Sequence, residues 1–408
     1  MRFVLISTHV DQTTGYAKVV YNLLGQLATL VPQVKTYHFG FQRHPSQSNI
    51  RTVPKGVISY DAAANEDPKE DGFGFNKIHE YLEMVNPDVV MIYNDPLIIH
   101  KFIEAMKFDK EKSTYKLWLY VDQVYEGIVP PLIESMNKNA HRIYCFTPYW
   151  ADIYSKYGPF SDIRVLENAV DITLFSKIPE GTRSAIRSSM GLPSNAVLMI
   201  NVNRNSQRKR YDLSIMGFTE LITRDPSKPY YYMIVTGLNA QQGAYYDINR
   251  IFLMELQRRG VDPNDYAKRL MLVDTSSKPL PDSAINELYN AADIGVNTSD
   301  GEGFGLCQIE HLYTGAPQLV TDIGTYRSFM DETVCGFVKP GHRTYFSGTM
   351  PLGSWYPNFS YVEIADTMTK MIETLPALKK AALEYKFKTW KEVCASWLED
   401  IKSEIVSK

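Results

Sequence analysis

Short apolar runs alternate with amphipathic stretches of helical period along this chain, and the alternation occurs in two successive series. In the first, Phe3–Ser7, Val34–Phe39, Val89–Tyr93, Leu117–Val121 and Ile143–Phe146 read as strands, with helical periodicity over Tyr16–Leu30 and Lys77–Val85. That order is expected of a parallel sheet wrapped by helices, a Rossmann-like α/β layer. A second series starts near Ala196, with strands expected at Val197–Val202, Tyr231–Val235, Met271–Val273, Ile294–Val296 and Gln318–Val320. The fold class is therefore α/β with two Rossmann-like domains.

A length of 408 residues agrees, because domains usually hold about 100–200 residues. The join falls between Asp171 and about Ser194, where Pro179, Gly181, Gly191 and Pro193 interrupt the strand periodicity. This predicts an N-terminal domain over 1–172 and a second over 173–379. The chain from Tyr361 onward is helical in period and broken at Pro376, and Trp390 and Trp397 share one face, more a mark of packing than of binding. Between Gly341 and Phe359, a stretch with Tyr345, Phe346, Trp355 and Tyr356 reads as a long loop, suited equally to binding, lid closure or packing.

Composition narrows the function classes. Hydrophobic residues at 44% and charged residues at 22% are ordinary for a globular protein. A net charge of −3, with basic residues clustered only at Arg208, Lys209 and Arg210, leaves no footprint for nucleic acid. The opening apolar run is too short for a signal peptide, and no stretch approaches the roughly 18–20 apolar residues of a spanning helix, so a cytoplasmic location is expected. Cys145, Cys307, Cys335 and Cys394 are scattered free thiols by this reading, and the eight histidines show no metal-ligand spacing, so no protein-held metal is expected.

The segment richest in chemistry runs from Tyr289 through Asp293, Ser299, Glu302, Gly305 and Glu310 to Gly315-Ala-Pro317. It reads as strand, glycine-rich loop, helix. Gly301, Gly303 and Gly305 permit close backbone approach around Phe304, and the amides of Leu306 and Cys307 at the new helix start suit a diphosphate. Glu302 stands in the loop and Glu310 about two helical turns into the next element, so one can reach a sugar and the other a ribose. A surface glycine loop with two solvated acids is the plain alternative, and the added glycines, strand and helix count against it.

Here the chain resembles the retaining glycosyltransferases of family 4, whose signature is a glutamate pair separated by seven residues in a PSxxEGFG context, followed by G-x-P. This sequence has Thr298-Ser299, Glu302-Gly-Phe-Gly305, Glu310 and Gly315-Ala-Pro317, lacking only the proline before Ser299. The resemblance implies the GT-B fold, in which two Rossmann-like domains face across a cleft. The acceptor then belongs to the first domain and the nucleotide sugar to the second, and a C-terminal helix, about 380–408, crosses back to the first. It also implies that Arg204 and Lys209, spaced like the family's G-R-x-x-x-x-K with Asn203 for glycine, supply cations to the donor diphosphate. Two fixed cations can neutralise a departing nucleoside diphosphate in place of Mg²⁺.

Weaker matches fall in the same order. Leu166-Glu-Asn168-Ala-Val170-Asp171 with Phe175 resembles the family's segment closing the first domain, Thr14-Gly15 resembles its glycine loop after the first strand, and Met233–Gly237 its strand beside the nucleotide. Many relatives place a histidine after a first-domain strand, where this chain has Tyr120-Val121-Asp122-Gln123. Asp122 can take a polar role there or simply cap a helix, and His9 beside Asp11 is a second candidate. The catalytic expectation thus names Glu302, Arg204, Lys209 and Asp122. The donor-contact expectation names Gly15, Gly237, Asp274, Gly303, Phe304, Gly305, Leu306 and Glu310.

Asp274 follows a strand where the family contacts the base, and its carboxylate can accept from guanine N1–H and N2–H, or else cap the following turn. This ranks GDP-mannose first and UDP-glucose next as donor, with no further cofactor and a glycan, lipid or protein-linked acceptor. Rival readings are a nucleotide-sugar-binding pseudoenzyme and a nucleotide-sugar epimerase. A dinucleotide oxidoreductase is disfavoured, since Ser7 to Gly15 has no G-x-G-x-x-G.

Overall fold

A computed structural model describes residues 1–44, 51–64, 66, 70–345 and 353–406. The chain forms two compact units: Met1–Ala169 with Tyr345–Trp355 and Lys388–Lys408, and Val170–Thr344 with Tyr356–Phe387.

The first unit holds strands β1 (Arg2–Thr8), β2 (Lys35–Phe41), β3 (Val57–Asp61), β4 (Val89–Asn94), β5 (Lys116–Val121), β6 (Arg142–Cys145) and β7 (Ile163–Val165). They pair in parallel in the order β3-β2-β1-β4-β5-β6-β7. β1 and β4 lie at the centre, which is why they read as unbroken apolar runs: both faces are covered and every residue of β4 is buried. The helices start on local signals. Thr14 caps Gly15–Leu30 through Ala17 N–H, and Asp95 caps Pro96–Ala105 through Leu97 and Ile98 N–H. Val4, Ile6, Phe39, Phe41, Ile92 and Phe102 anchor its core.

The C-terminal helix Trp390–Val406 belongs to this unit. Trp397 is fully buried with its ring edge-on to Phe3 at 5.8 Å, Asp400 accepts from Tyr144 OH at 2.7 Å, and Lys116 pairs with Glu404 at 2.6 Å. Both tryptophans therefore pack, and Pro376 sits at the first turn of the separate helix Leu375–Glu384.

The second unit holds β8 (Val197–Val202), β9 (Tyr230–Thr236), β10 (Leu270–Asp274), β11 (Ile294–Asn297), β12 (Gln318–Thr321) and β13 (Cys335–Val338), parallel in the order β10-β9-β8-β11-β12-β13. A separate core gathers Tyr211, Phe218, Tyr232, Ile234, Phe252 and Ile364. In both sheets the strand order reverses once, between β1 and β4 and between β8 and β11. Ligands of open α/β sheets bind beyond the strand C-termini at such a switch point.

The long loop expected between Gly341 and Phe359 is corrected in part. His342–Tyr345 (β14) and Trp355–Asn358 (β15) pair as a two-stranded sheet, with Gly341 N–H donating to Asn358 O at 2.9 Å. Gly and Pro in this stretch masked a β-branched and aromatic strand pair. Phe346 lies outside the described residues.

Candidate active site

The two motifs singled out from sequence follow β8 and β11, the neighbours at the second unit's switch point. The β8 loop runs from Asn203 into the short 3-10 turn Gln207–Lys209, and the β11 loop from Thr298 to Gly305. Side chains and backbone tie them together. Thr298 Oγ1 donates to Arg210 O at 2.8 Å, Asp300 N–H to Arg208 O at 2.9 Å, and Arg208 Nη1 to Gly301 O at 2.8 Å.

Glu302 lies at their junction and is only 5% exposed. Its Oε1 meets Lys209 Nζ, Ser299 Oγ at 2.9 Å and Asn297 Nδ2 at 3.3 Å, while Oε2 accepts from Arg208 Nη1 at 2.8 Å. Burial alone would raise the carboxyl pKa, but the Arg208 and Lys209 charges and the hydrogen bonds from both more than offset this and hold it far below the usual carboxylate range. Burial draws the Lys209 ammonium down from its ordinary value, and Glu302 draws it back up. Glu302 is therefore ionised at neutral pH: an acceptor and a counter-charge, not a proton donor.

The loop then turns into the helix Leu306–Tyr313. Gly305 makes the turn at φ +104°, and a Cβ there would come within 2.5 Å of Tyr326 Cε1, so only glycine fits. Gly303 O accepts from Thr325 Oγ1 at 2.9 Å, and Phe304 stacks on Phe329 with centroids 4.5 Å apart. Leu306 and Cys307, half-buried, provide the opening amides. Because the helix begins at Leu306, the buried Glu310 lies one turn into it rather than two.

The remaining donor-contact residues occupy neighbouring strand ends. Arg204 is exposed in the β8 loop. Gly237 follows β9 and its carbonyl accepts from Asn205 Nδ2 at 3.2 Å. Asp274, at the end of β10, is exposed, and its Oδ1 accepts from Leu238 N–H at 3.0 Å and Ser276 N–H at 2.9 Å; the Ser276 side chain first, and then these two amides, keep its pKa below the ordinary value. That oxygen organises the β9 and β10 loops, as the turn-capping alternative expected.

Asp122 and Gly15 belong to the first unit. Asp122 follows β5, and its Oδ2 accepts from Tyr16 OH at 2.6 Å. Burial, then the Asp122 charge, pushes the Tyr16 phenol well above its ordinary pKa. Gly15 opens the helix after β1 beside its cap Thr14. His9 is buried between Asp11 Oδ1 at 2.6 Å and Ser59 Oγ at 3.3 Å.

Sequence reasoning missed Arg208 as a Glu302 partner and Asn297 as the hub beneath the loop. Asn297 Nδ2 reaches Gln308 Oε1 at 2.9 Å and Tyr326 OH at 2.8 Å, and its Oδ1 accepts from Ser299 Oγ at 2.6 Å. An asparagine as the last residue of an otherwise apolar strand was the available signal.

No protein-family model matches the chain. It is 28% identical over 190 residues to D-inositol 3-phosphate glycosyltransferase of Nocardia farcinica, covering 46% of this chain and 39% of that protein. It is 29% identical over 161 residues to mannosylfructose-phosphate synthase of Agrobacterium fabrum, covering 39% of this chain and 32% of that protein. The chain thus matches less than half the length of these relatives. In fold it is similar to sucrose-phosphate synthase from Thermosynechococcus elongatus, at 15% identity and a TM-score of 0.74 over 100% of both chains. Anabaena HepE in complex with UDP and glucose gives a TM-score of 0.66 at 13% identity, over 100% of this chain and 99% of that one. Over the matched residues the chain is similar to these glycosyltransferases, and its two parallel-sheet α/β units have the GT-B fold. Among the described residues no helix is long and apolar enough to cross a membrane.

Proposed function

We propose that this chain transfers a hexose from a nucleoside-diphosphate sugar to a carbohydrate-containing acceptor with retention of anomeric configuration. The observation that carries this reading is the convergence of the β8 and β11 loops at one switch point, bringing Lys209, Arg208 and Glu302 together beside the opening of the helix Leu306–Tyr313. In this reading Arg204, Lys209 and the amides of Leu306 and Cys307 take the diphosphate. Glu302 and Glu310 take hydroxyls of the sugar and the ribose. Since Glu302 is ionised, departure of the leaving group is assisted by cations and amides rather than by a proton from that carboxyl. Asp122, held by Tyr16, is the polar group assigned to the acceptor side.

The donor is a hexose carried on GDP or UDP. GDP-mannose rested on a free carboxylate edge at Asp274, and the use of Asp274 Oδ1 by two backbone amides favours UDP-glucose as the second reading. Incubating the protein with each donor and following nucleoside diphosphate release, with the product anomer read by NMR, tests both. Release from one donor and a retained anomer supports the proposal. Binding of either donor without release supports the pseudoenzyme instead, and an epimerised free sugar supports the epimerase.

A further inference from the structure

The first unit displays two aromatic rings that its core does not use. Tyr345 and Trp355 lie together, centroids 5.0 Å apart at 59°, yet remain 55% and 42% exposed. Their exposure is not slackness in the chain. Ser354 and Trp355 N–H both donate to Glu126 O, at 2.9 and 3.1 Å, and the indole rests against Gly127. A Cβ on Gly127, whose φ is +78°, would stand 2.9 Å from Trp355 Cδ1, so the seat requires glycine. Polar groups line the margin: Glu126 Oε1 accepts from Tyr149 OH at 2.6 Å, and the half-exposed Tyr157 OH accepts from Gly127 N–H at 2.7 Å. Glu126 and Gly127 continue the segment that leaves the C-terminal end of β5 through Asp122, at the sheet edge where α/β ligands bind.

We propose that Tyr345 and Trp355, with Glu126 and Tyr157 beside them, form a subsite for a sugar ring of a neutral glycan acceptor. Rigid rings held at an angle present apolar faces to the C–H surface of a pyranose, while a carboxylate and phenols at the rim suit its hydroxyls. The neighbouring Glu126 and the net charge of −3 oppose an anionic lipid or a nucleic acid at this place. The inference rests on the transferase reading and names its acceptor class.

The five tryptophans provide a direct readout. Trp118, Trp150, Trp390 and Trp397 are all 5% exposed or less, so Trp355 is the one whose emission responds to a ligand at the surface. Titration with mannotriose, maltotriose and chitotriose is expected to shift tryptophan emission saturably for at least one of them. Tyr345→Ala should weaken that glycan about tenfold, the loss of roughly one aromatic contact. Trp355→Phe should abolish the emission change while calorimetry still detects binding. No response to any trisaccharide, an affinity unchanged by Tyr345→Ala, or a response to phosphatidylcholine vesicles and not to glycans overturns the proposal. Wild-type thermal shifts with UDP-glucose and GDP-mannose keep the two ideas apart: a protein that binds glycan and neither donor refutes the transferase reading and leaves the subsite standing.

Discussion

Replacing Glu302 with Gln leaves Lys209 and Arg208 without their shared counter-charge in a buried setting. Breaking such a pair costs about 3 kcal/mol, so thermal unfolding of Glu302→Gln should shift well below wild type. The double change Glu302→Gln with Lys209→Met should recover part of that loss, because the two positions act as one unit. Gly305→Ala should cost about 2 kcal/mol in the same measurement through its positive φ and the Tyr326 contact, and should weaken donor binding alongside. Glu302, Glu310 and Gly305 stood out in the sequence through the strand, glycine loop and helix around them, and Lys209 through the family resemblance. The Arg208 contact with Glu302 was not legible because it joins residues 94 positions apart through the tertiary fold, whereas Asn297, five positions from Glu302, lay within the motif and went unread.

Among the elements, a buried histidine on β2 of the first unit and another on the helix Leu306–Tyr313 of the second make both units sensitive to acid. Burial, and then the charge of nearby His9, takes His38 on β2 down to about 3. Burial does the same to His311 on the helix Leu306–Tyr313, which reaches about 3 although its contact with Tyr289 O pulls upward. The partners of His311, Tyr289 O at 3.0 Å and Gln318 Nε2 at 3.1 Å, suit a neutral ring with the proton on Nε2. Both folded values lie below the unfolded one. Their stabilisation is therefore complete above about pH 6.5 and is lost as pH falls toward 3, by about 2 kcal/mol per ring at pH 5. Melting temperature recorded from pH 7.5 to 5 should fall accordingly, and His311→Gln should flatten the slope. The apolar runs made the central strands β1, β4, β5, β8 and β11 readable within about one or two residues. The edge strands β3, β7 and β13 went unread, being short or half-covered and so without a continuous apolar run.

For the molecule as a whole, two α/β units were legible because the alternation repeats and 408 residues exceed one core. The return of Lys388–Lys408 to the first unit was expected only through the family resemblance, since its ties are long-range: Trp397 on Phe3, Asp400 with Tyr144, Glu404 with Lys116. Trp397→Ala should destabilise the first unit by about 3–5 kcal/mol, seen as early exposure of that unit to limited proteolysis. The claim on which the account turns is that one diphosphate binds where the β8 and β11 loops meet. A crystal structure with the bound nucleoside diphosphate tests it most directly. The account predicts phosphate oxygens on Arg204, Lys209 and the amides of Leu306 and Cys307, with Lys209 turned at least partly away from Glu302. Nucleotide seated on the first unit's sheet, or away from both loops, would contradict it.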